Sequence, residues 1–414
     1  MKPTKRELVL AASFTLLLLL LSEIGLRVLP VEFQTEFFAL SRQRGWVLRP
    51  GTTGEVTTEN KQHVHINSNG FHDKERTLAT PINTVRIAVL GNSWTEAMQV
   101  PVDKTFPSLL EKQFSHSQCF GGRNVEVLNF GVSGYSTAQE LLTLQQEVVK
   151  YHPDIVLATF YAARDVANNV REFNNTTDPG ESPYFVLRDG QLVLDDSFRK
   201  LPALQGRQIM MQTVRASVAA HIKVLQAINS LVLYGRARVA ALTIPNRAQE
   251  VGTDNIEFAT LKPPAQPQME NAWRVTEALI VAMRDEAHKQ NAYFRVVTLA
   301  TRPQVNPDLV QRTAFTKSLG VSDLSYADKR IQTLGEKEHI AVTTLAPSLA
   351  AYAVAHHQYL NGFDALTFGA GHWNETGHEL AAEAIAADMC GQPNEGIGQL
   401  TSDIKSKSQE SHSR

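Results

Sequence analysis

The stretch Val85-Arg86-Ile87-Ala88-Val89-Leu90 is apolar at every position but one and stops at Gly91-Asn92-Ser93-Trp94-Thr95-Glu96-Ala97. A short continuous apolar run closed by a turn signal reads as a strand buried on both faces. Such strands belong to parallel sheets covered by helices. The same reading applies to Val125 to Phe130, Ile155 to Phe160, Phe294 to Leu299 and Ile340 to Leu345. Helical patterns fall between or after them: Phe106 to about Ser117, Ala138 to Lys150, Thr213 to Leu233, Glu270 to Lys289 and Glu379 to Met389. Alternation of this kind predicts an α/β domain with helices on both sides of a parallel sheet.

Ligands of such sheets bind beyond the carboxyl ends of the strands, so the loops after each strand carry the chemistry. The first lifts Ser93 above the sheet edge, beside a helix N-terminus. The second, Asn129 to Ser136, holds Gly131 and Gly134, which let backbone N–H groups approach a ligand. The third runs from Tyr161 to Asn169 and includes Arg164 and Asp165. The last, Gly371-His372-Trp373-Asn374-Glu375-Thr376-Gly377-His378, precedes the final helix. A serine, backbone donors, polar side chains and a histidine at one sheet end supply a nucleophile, an oxyanion site and a base, the needs of acyl transfer.

Each residue also has a plainer reading. Ser93 could cap a helix with Glu96 three residues on, as in a capping box. Gly131 and Gly134 could serve turns alone, and His372 could be a packed loop histidine. His378 reads as structural, Thr376 as a helix cap and Asp165 as an acceptor that fixes its loop. His63 and His65 share a strand face, but without a carboxylate or third histidine at ligand spacing they do not predict a metal site. Trp46, Trp94 and Trp373 could stack on a sugar ring, although core packing is the commoner fate of tryptophan.

Taken together and in this order, the four blocks resemble the SGNH/GDSL hydrolase family. The similarity spans roughly Trp46 to Cys390 and includes Ile66-Asn67-Ser68-Asn69-Gly70-Phe71, a segment seen in membrane-anchored bacterial members. The resemblance implies a flavodoxin-like three-layer α/β/α domain with a parallel five-stranded sheet. It implies Ser93 as nucleophile, His372 as base, and the N–H groups of Ser93 and Gly134 as oxyanion donors. Arg164, at the place of the family's oxyanion asparagine, and Asn169 nearby are this chain's own candidates for further oxyanion or substrate contacts. It implies no cofactor and no metal. The expected activity is hydrolysis or transfer of acyl esters on an envelope or extracellular substrate, acetylated carbohydrate among them; the other reading is a degraded module that binds envelope polysaccharide without turnover. Three positions depart from the family pattern. Asn92 stands where an aspartate is usual. Ala163-Arg164-Asp165 replaces Gly-Asn-Asp. Gly369 and Ala370 stand where an aspartate should orient the histidine, leaving Glu375, Asp364 or a backbone carbonyl to do so. In the implied fold the first and last helices share a face, so Cys119 and Cys390 either pair in an oxidising compartment or remain two small hydrophobes.

The chain outside these blocks sets the remaining bounds. With 40 Lys+Arg against 42 Asp+Glu, the 414 residues carry no basic excess, which disfavours nucleic acid as a partner. Lys2, Lys5 and Arg6 precede an apolar run from Leu8 to about Ser22, without an A-x-A-like cleavage site after it. Residues 1–30 therefore read as an uncleaved membrane anchor, ahead of a cleaved signal. A short basic N-terminal tail stays in the cytoplasm and a long downstream domain translocates, so the body is expected on the periplasmic side of a single-pass membrane protein. Residues 44–390 form the hydrolase-like domain. An insertion spans about 172–264, with a hairpin from Tyr184 to Leu194 turning at Asp189-Gly190, a helix from about Gln208 to Tyr234 and a strand from Arg238 to Ile244. The Ser-, Lys- and Gln-rich tail 391–414 reads as disordered.

Overall fold

The computed structural model describes residues 4–29, 33, 35–173, 182–206, 256–364 and 367–391, with 208–211, 214, 218, 222–228, 231 and 232 between them. The tail 391–414 beyond its first residue and the strand expected from Arg238 to Ile244 lie outside the described residues, as does much of the helix expected from Gln208 to Tyr234.

The chain begins with a 24-residue helix, Lys5–Val28, capped by Thr4 and Glu7 in a capping box and buried nowhere along its length. It is long and apolar enough to cross a membrane or to act as a signal sequence. Glu23, near its end, accepts the backbone N–H groups of Lys223 and Val224. Two small antiparallel hairpins follow: β1 (Phe38–Ser41) with β2 (Gly45–Leu48), and β3 (Thr53–Val56) with β4 (Gln62–His65).

The body is a parallel sheet of β5 (Thr84–Gly91), β6 (Asn124–Gly131), β7 (Ile155–Phe160), β10 (Tyr293–Thr298) and β11 (Ala341–Thr344), in the spatial order β11-β10-β7-β5-β6. Counting only these five along the chain, the order is 2-1-3-4-5, that of flavodoxin-like folds. A third hairpin, β8 (Tyr184–Arg188) with β9 (Gln191–Asp195), turns at Asp189-Gly190 as expected. Each of the five sheet strands falls within a residue of its predicted run.

Two apolar layers sandwich the sheet. Ala88, Leu90 and Val156 point to one side, where Leu141, Met283 and Ile331 come from helices Thr137–Gln146, Pro267–Lys289 and Tyr326–Glu338. Ile87, Val89 and Leu157 point to the other, against Leu110, Leu349 and Ile385 of helices Phe106–Ser115, Ala346–His356 and Glu375–Gly391. The alternation along β5 is the period-two geometry of a strand with both faces buried. Arg86, the one charge in this strand, is fully buried but forms an ion pair with Glu126 and donates to the carbonyls of Leu78 and Tyr151, which offsets its desolvation.

The first and last sheet-covering helices do share a face, and Cys119 is bonded to Cys390 across them, Cα atoms 5.2 Å apart. Helices Leu309–Leu319, Tyr326–Glu338 and Ala346–His356 were not foreseen from the sequence. The last of them separates β11 from the His372 loop, which therefore does not follow the final strand directly.

Candidate active site

At the carboxyl end of β5 the backbone breaks at Asn92, in extended conformation, and enters the single helical turn Ser93–Glu96. Asn92 caps this turn: its side-chain oxygen accepts the Trp94 N–H, while its amide donates to Asp165 Oδ1 at 3.0 Å. Ser93 is thus not the cap, and Glu96 does not complete a capping box. The Ser93 hydroxyl instead lies 2.7 Å from His372 Nε2.

The imidazole is held from its other side by Glu59. His372 Nδ1 is 2.9 and 3.0 Å from the two carboxylate oxygens of Glu59, and the His372 backbone N–H donates to Glu59 Oε2 at 2.8 Å. None of the expected orienting groups does this. Glu375 lies near Lys104, and Asp364 accepts the Thr367 N–H. Glu59 sits in the turn between β3 and β4, itself in the left-handed region, φ 66°. Asn60 beside it donates to the Gln99 carbonyl and ties the turn to the segment that follows Ser93. Gly371 has φ 67°, and a Cβ there would come within 2.5 Å of the Glu59 carboxylate, so the approach of acid to histidine depends on glycine. Burial pushes the Glu59 pKa up, but the hydrogen bonds and charge of His372, together with Arg302, hold it below the ordinary carboxylate value.

The imidazole packs against Trp94, ring centroids 5.0 Å apart, and Trp94 packs in turn on Tyr161 and Trp373. Trp373 and Trp94 are core residues. Trp46 covers Gly134 and donates to the Ser133 carbonyl.

Gly134 has φ 80° and lies in the wall of the cleft with Ser93. Among the described residues, neither the Ser93 N–H nor the Gly134 N–H donates to another protein group. The loop that carries Gly134 is fastened from below by Glu96, which is buried and accepts both the N–H and the hydroxyl of Ser133. Burial raises the Glu96 pKa to about 7, although the Ser133 hydrogen bonds oppose the shift.

Of the third block, Arg164 is exposed and lines the cleft beside Asn168 and Arg302. Asn169 does not reach it. Its carbonyl oxygen accepts the Ala138 N–H, its amide donates to Thr276, and it is fully buried. Asn168, one residue earlier, is the asparagine that lines the cleft. Asp165 fixes its loop, as read from the sequence: it accepts from Tyr161 N–H and from Asn92. Burial lifts its pKa to about 7. Opposite that carboxylate, the amide at position 92 donates a hydrogen bond where a second carboxylate would repel.

The remaining residues have structural partners. His378 is fully buried, accepts from the Phe106 N–H, and burial lowers its pKa to about 3. Asn374, not Thr376, caps the last helix by accepting the Gly377 N–H. His63 and His65 face Glu55 and Thr53 across their hairpin.

The cleft around Ser93 encloses about 260 Å³ and is walled by Glu59, Gly134, Tyr161, Arg164, Arg302 and His372, among others. An α/β/α domain of 2-1-3-4-5 strand order with a Ser–His–Glu relay at the carboxyl edge of its sheet defines the class of protein. In fold, and in the order of its blocks, the chain resembles the SGNH/GDSL hydrolases.

No family model matches the chain. Over 72 residues it is 35% identical to the arylesterase of Vibrio mimicus, a match spanning 17% of this chain and 34% of that protein. Similar solved structures include a lipase/acylhydrolase from Enterococcus faecalis, at 15% identity and TM-score 0.34, covering 75% of this chain and 99% of that one. A catalytic mutant of the acetylxylan esterase Axe2 from Geobacillus stearothermophilus has 10% identity and TM-score 0.36, covering 74% and 94%. A Desulfitobacterium hafniense protein assigned to the lipolytic G-D-S-L family has 10% identity and TM-score 0.31, covering 73% and 98%. At these values the fold rests on the chain's own strand order and the chemistry on its own side chains.

Proposed function

We propose that the chain is a membrane-tethered serine ester hydrolase or acyltransferase whose body works on the outer side of the membrane. The observation that carries this reading is the continuous relay from Glu59 through His372 to Ser93. Glu59 fixes the imidazole with Nδ1 protonated, so Nε2 is the acceptor that faces the hydroxyl. As Ser93 Oγ attacks an ester carbonyl, its proton passes to Nε2, and Glu59 stabilises the imidazolium. The oxyanion that forms takes the N–H groups of Ser93 and Gly134, already in place and without protein partners. His372 then returns the proton to the departing alcohol. Water, or a sugar hydroxyl in the transfer variant of the reaction, enters by the same route in reverse and frees Ser93. The exposed guanidinium of Arg164 stands in the wall where relatives supply an asparagine and offers a charged donor to the same face of the substrate. The pairing of Cys119 with Cys390 fits an oxidising compartment.

The test uses the full chain in lipid nanodiscs with a short-chain aryl acetate. Turnover, together with covalent labelling of Ser93 by a fluorophosphonate, is the expected result. Turnover that survives both Ser93→Ala and His372→Ala would overturn the mechanism. Absence of labelling, with retained binding of acetylated glycans, would favour a non-catalytic module.

A further inference from the structure

Beyond the Ser93 cleft lies a second, larger chamber of about 560 Å³, and Arg302 is in the wall of both. Its floor is apolar: Phe258, Val305, Phe315, Tyr359 and Leu360. Asn306, Gln311 and Asn361 add amide groups to its lining. The walls are fixed. Phe258 and Phe315 meet edge to face at 5.0 Å, and Phe258, Leu261, Leu319 and Leu324 form a separate small core beneath them. Tyr359 lies parallel to Phe368 and against Gly369.

The chamber is placed on one side of the reacting centre. Its Asn361 pairs with Trp373 in an isolated bridge, and the neighbouring Gly362 N–H donates to the carbonyl of His372. The chamber therefore adjoins the loop that carries the imidazole. In acyl transfer through a serine, the histidine hands its proton to the leaving oxygen. The alcohol half of the ester must lie on the imidazole side, and the acyl half on the far side, within the smaller cleft that holds Ser93.

We infer that the chamber walled by residues 302–318, 359–361 and Gly369 is the alcohol subsite, and that it selects esters of a short acyl group with a ring-bearing alcohol. A ring with an apolar face and a polar edge matches an aromatic floor and amide donors. The inference rests on the hydrolase reading above and adds to it which half of the substrate is bulky. An aryl ring and a sugar ring share this chemistry, and the test separates them.

Ala314 lines the chamber from the exposed side of helix Leu309–Leu319, so Ala314→Trp fills the space without crowding the core. The full chain in nanodiscs is compared with this variant on methyl acetate, methyl octanoate, naphthyl acetate and an O-acetylated methyl glycoside. The expected result is a fall of about tenfold or more in kcat/KM for the ring-bearing acetates, the size of effect that pocket contacts produce, with methyl acetate nearly unchanged. A fall for naphthyl acetate alone assigns the chamber to aromatic rings, and a fall for the glycoside as well assigns it to sugars. A fall confined to methyl octanoate would place the acyl chain there and overturn the inference, as would an equal effect on every ester or none.

Binding gives a readout free of turnover. Naphthol should show saturation transfer with Ser93→Ala, and the signal should vanish in Ser93→Ala/Ala314→Trp. Naphthol binding without Ser93-dependent hydrolysis of any ester would sink the hydrolase reading and keep the chamber as a ring site. Retained hydrolysis without ring preference or naphthol binding would sink this inference alone.

Discussion

Ser93 leaves the sheet at the end of β5, a strand paired on both sides, whereas Glu59 sits at the tip of the hairpin β3–β4, which shares no ladder with that sheet. The two regions also treat their carboxylates in opposite ways. On the sheet side, Glu96 is buried against the N–H and hydroxyl of Ser133, and burial raises its pKa to about 7. On the hairpin side, Glu59 meets the imidazole and its pKa falls below the ordinary value, even though burial opposes the fall. The comparison teaches that a sheet can fix a hydroxyl while an appendage supplies the carboxylate that holds the imidazole facing it.

The sharpest way to break this division is to remove one member from each region. Ser93→Ala should lower kcat on the order of 10⁴- to 10⁶-fold, as loss of the serine or histidine does in related relays. Glu59→Gln should cost less, about 10²- to 10⁴-fold in kcat, with KM nearly unchanged, because the amide holds the ring without stabilising its charged form. Steady-state kinetics on one aryl acetate measures both. Equal wild-type rates for Glu59→Gln would mean that the hairpin is only a cover.

The next effect is on stability and belongs to the sheet side. The disulfide joins residues 271 apart in sequence, so Cys119→Ser/Cys390→Ser should lower unfolding stability by about 2–5 kcal/mol. Denaturant unfolding measures it, and the Glu59–His372 contact, which the bridge does not touch, predicts unchanged kcat below the transition. Asn92→Asp should destabilise the body by roughly 1–3 kcal/mol at pH 8, since it faces a second buried carboxylate with a like charge. The loss should shrink at pH 5, where Asp165 is protonated; thermal melts at both values decide.

The smallest effect is a slope. Between the ordinary carboxylate value of 4.5 and about 7, Glu96 keeps its proton in the folded chain and loses it in the unfolded one. The folded state binds more protons there, so this residue makes stability fall as pH rises through that window. Glu96→Gln should flatten the dependence without removing it, because Asp165 and Glu140 are also raised by burial. Glu59 works in the opposite sense: its contribution is present above the ordinary carboxylate range and fades as pH falls through its lowered pKa. A melt series in which Glu59→Gln and Glu96→Gln tilt the curve the same way would refute the contrast.

These differences explain what the sequence made legible. Buried strands advertise themselves through runs such as Val85 to Leu90, because nothing polar is tolerated on either face. The loops after them were readable because each short motif follows such a run. The three unforeseen helices have weaker signals: Leu309–Leu319 exposes most of its surface, and Tyr326–Glu338 is rich in charge. Asn169 was misplaced by a single residue at a helix end, enough to turn it from the cleft to the core. Glu59 had no local signal at all. A carboxylate in a polar turn looks like any solvated acid, and its role follows only from a contact across 313 positions. The one available hint was negative: with no aspartate at Gly369 or Ala370, the acid had to come from elsewhere.

The location of Glu59 also bears on how the protein can be handled. A version trimmed to begin at Thr84 would retain the five strands of the central sheet, the helices that cover them and the four loop blocks, yet would arrive at the bench with its relay cut and with Ile66 and Phe71 missing from one apolar layer. A blank result from such a fragment would say nothing about the intact molecule. The shortest version worth assaying starts upstream of both early hairpins, close behind the apolar helix.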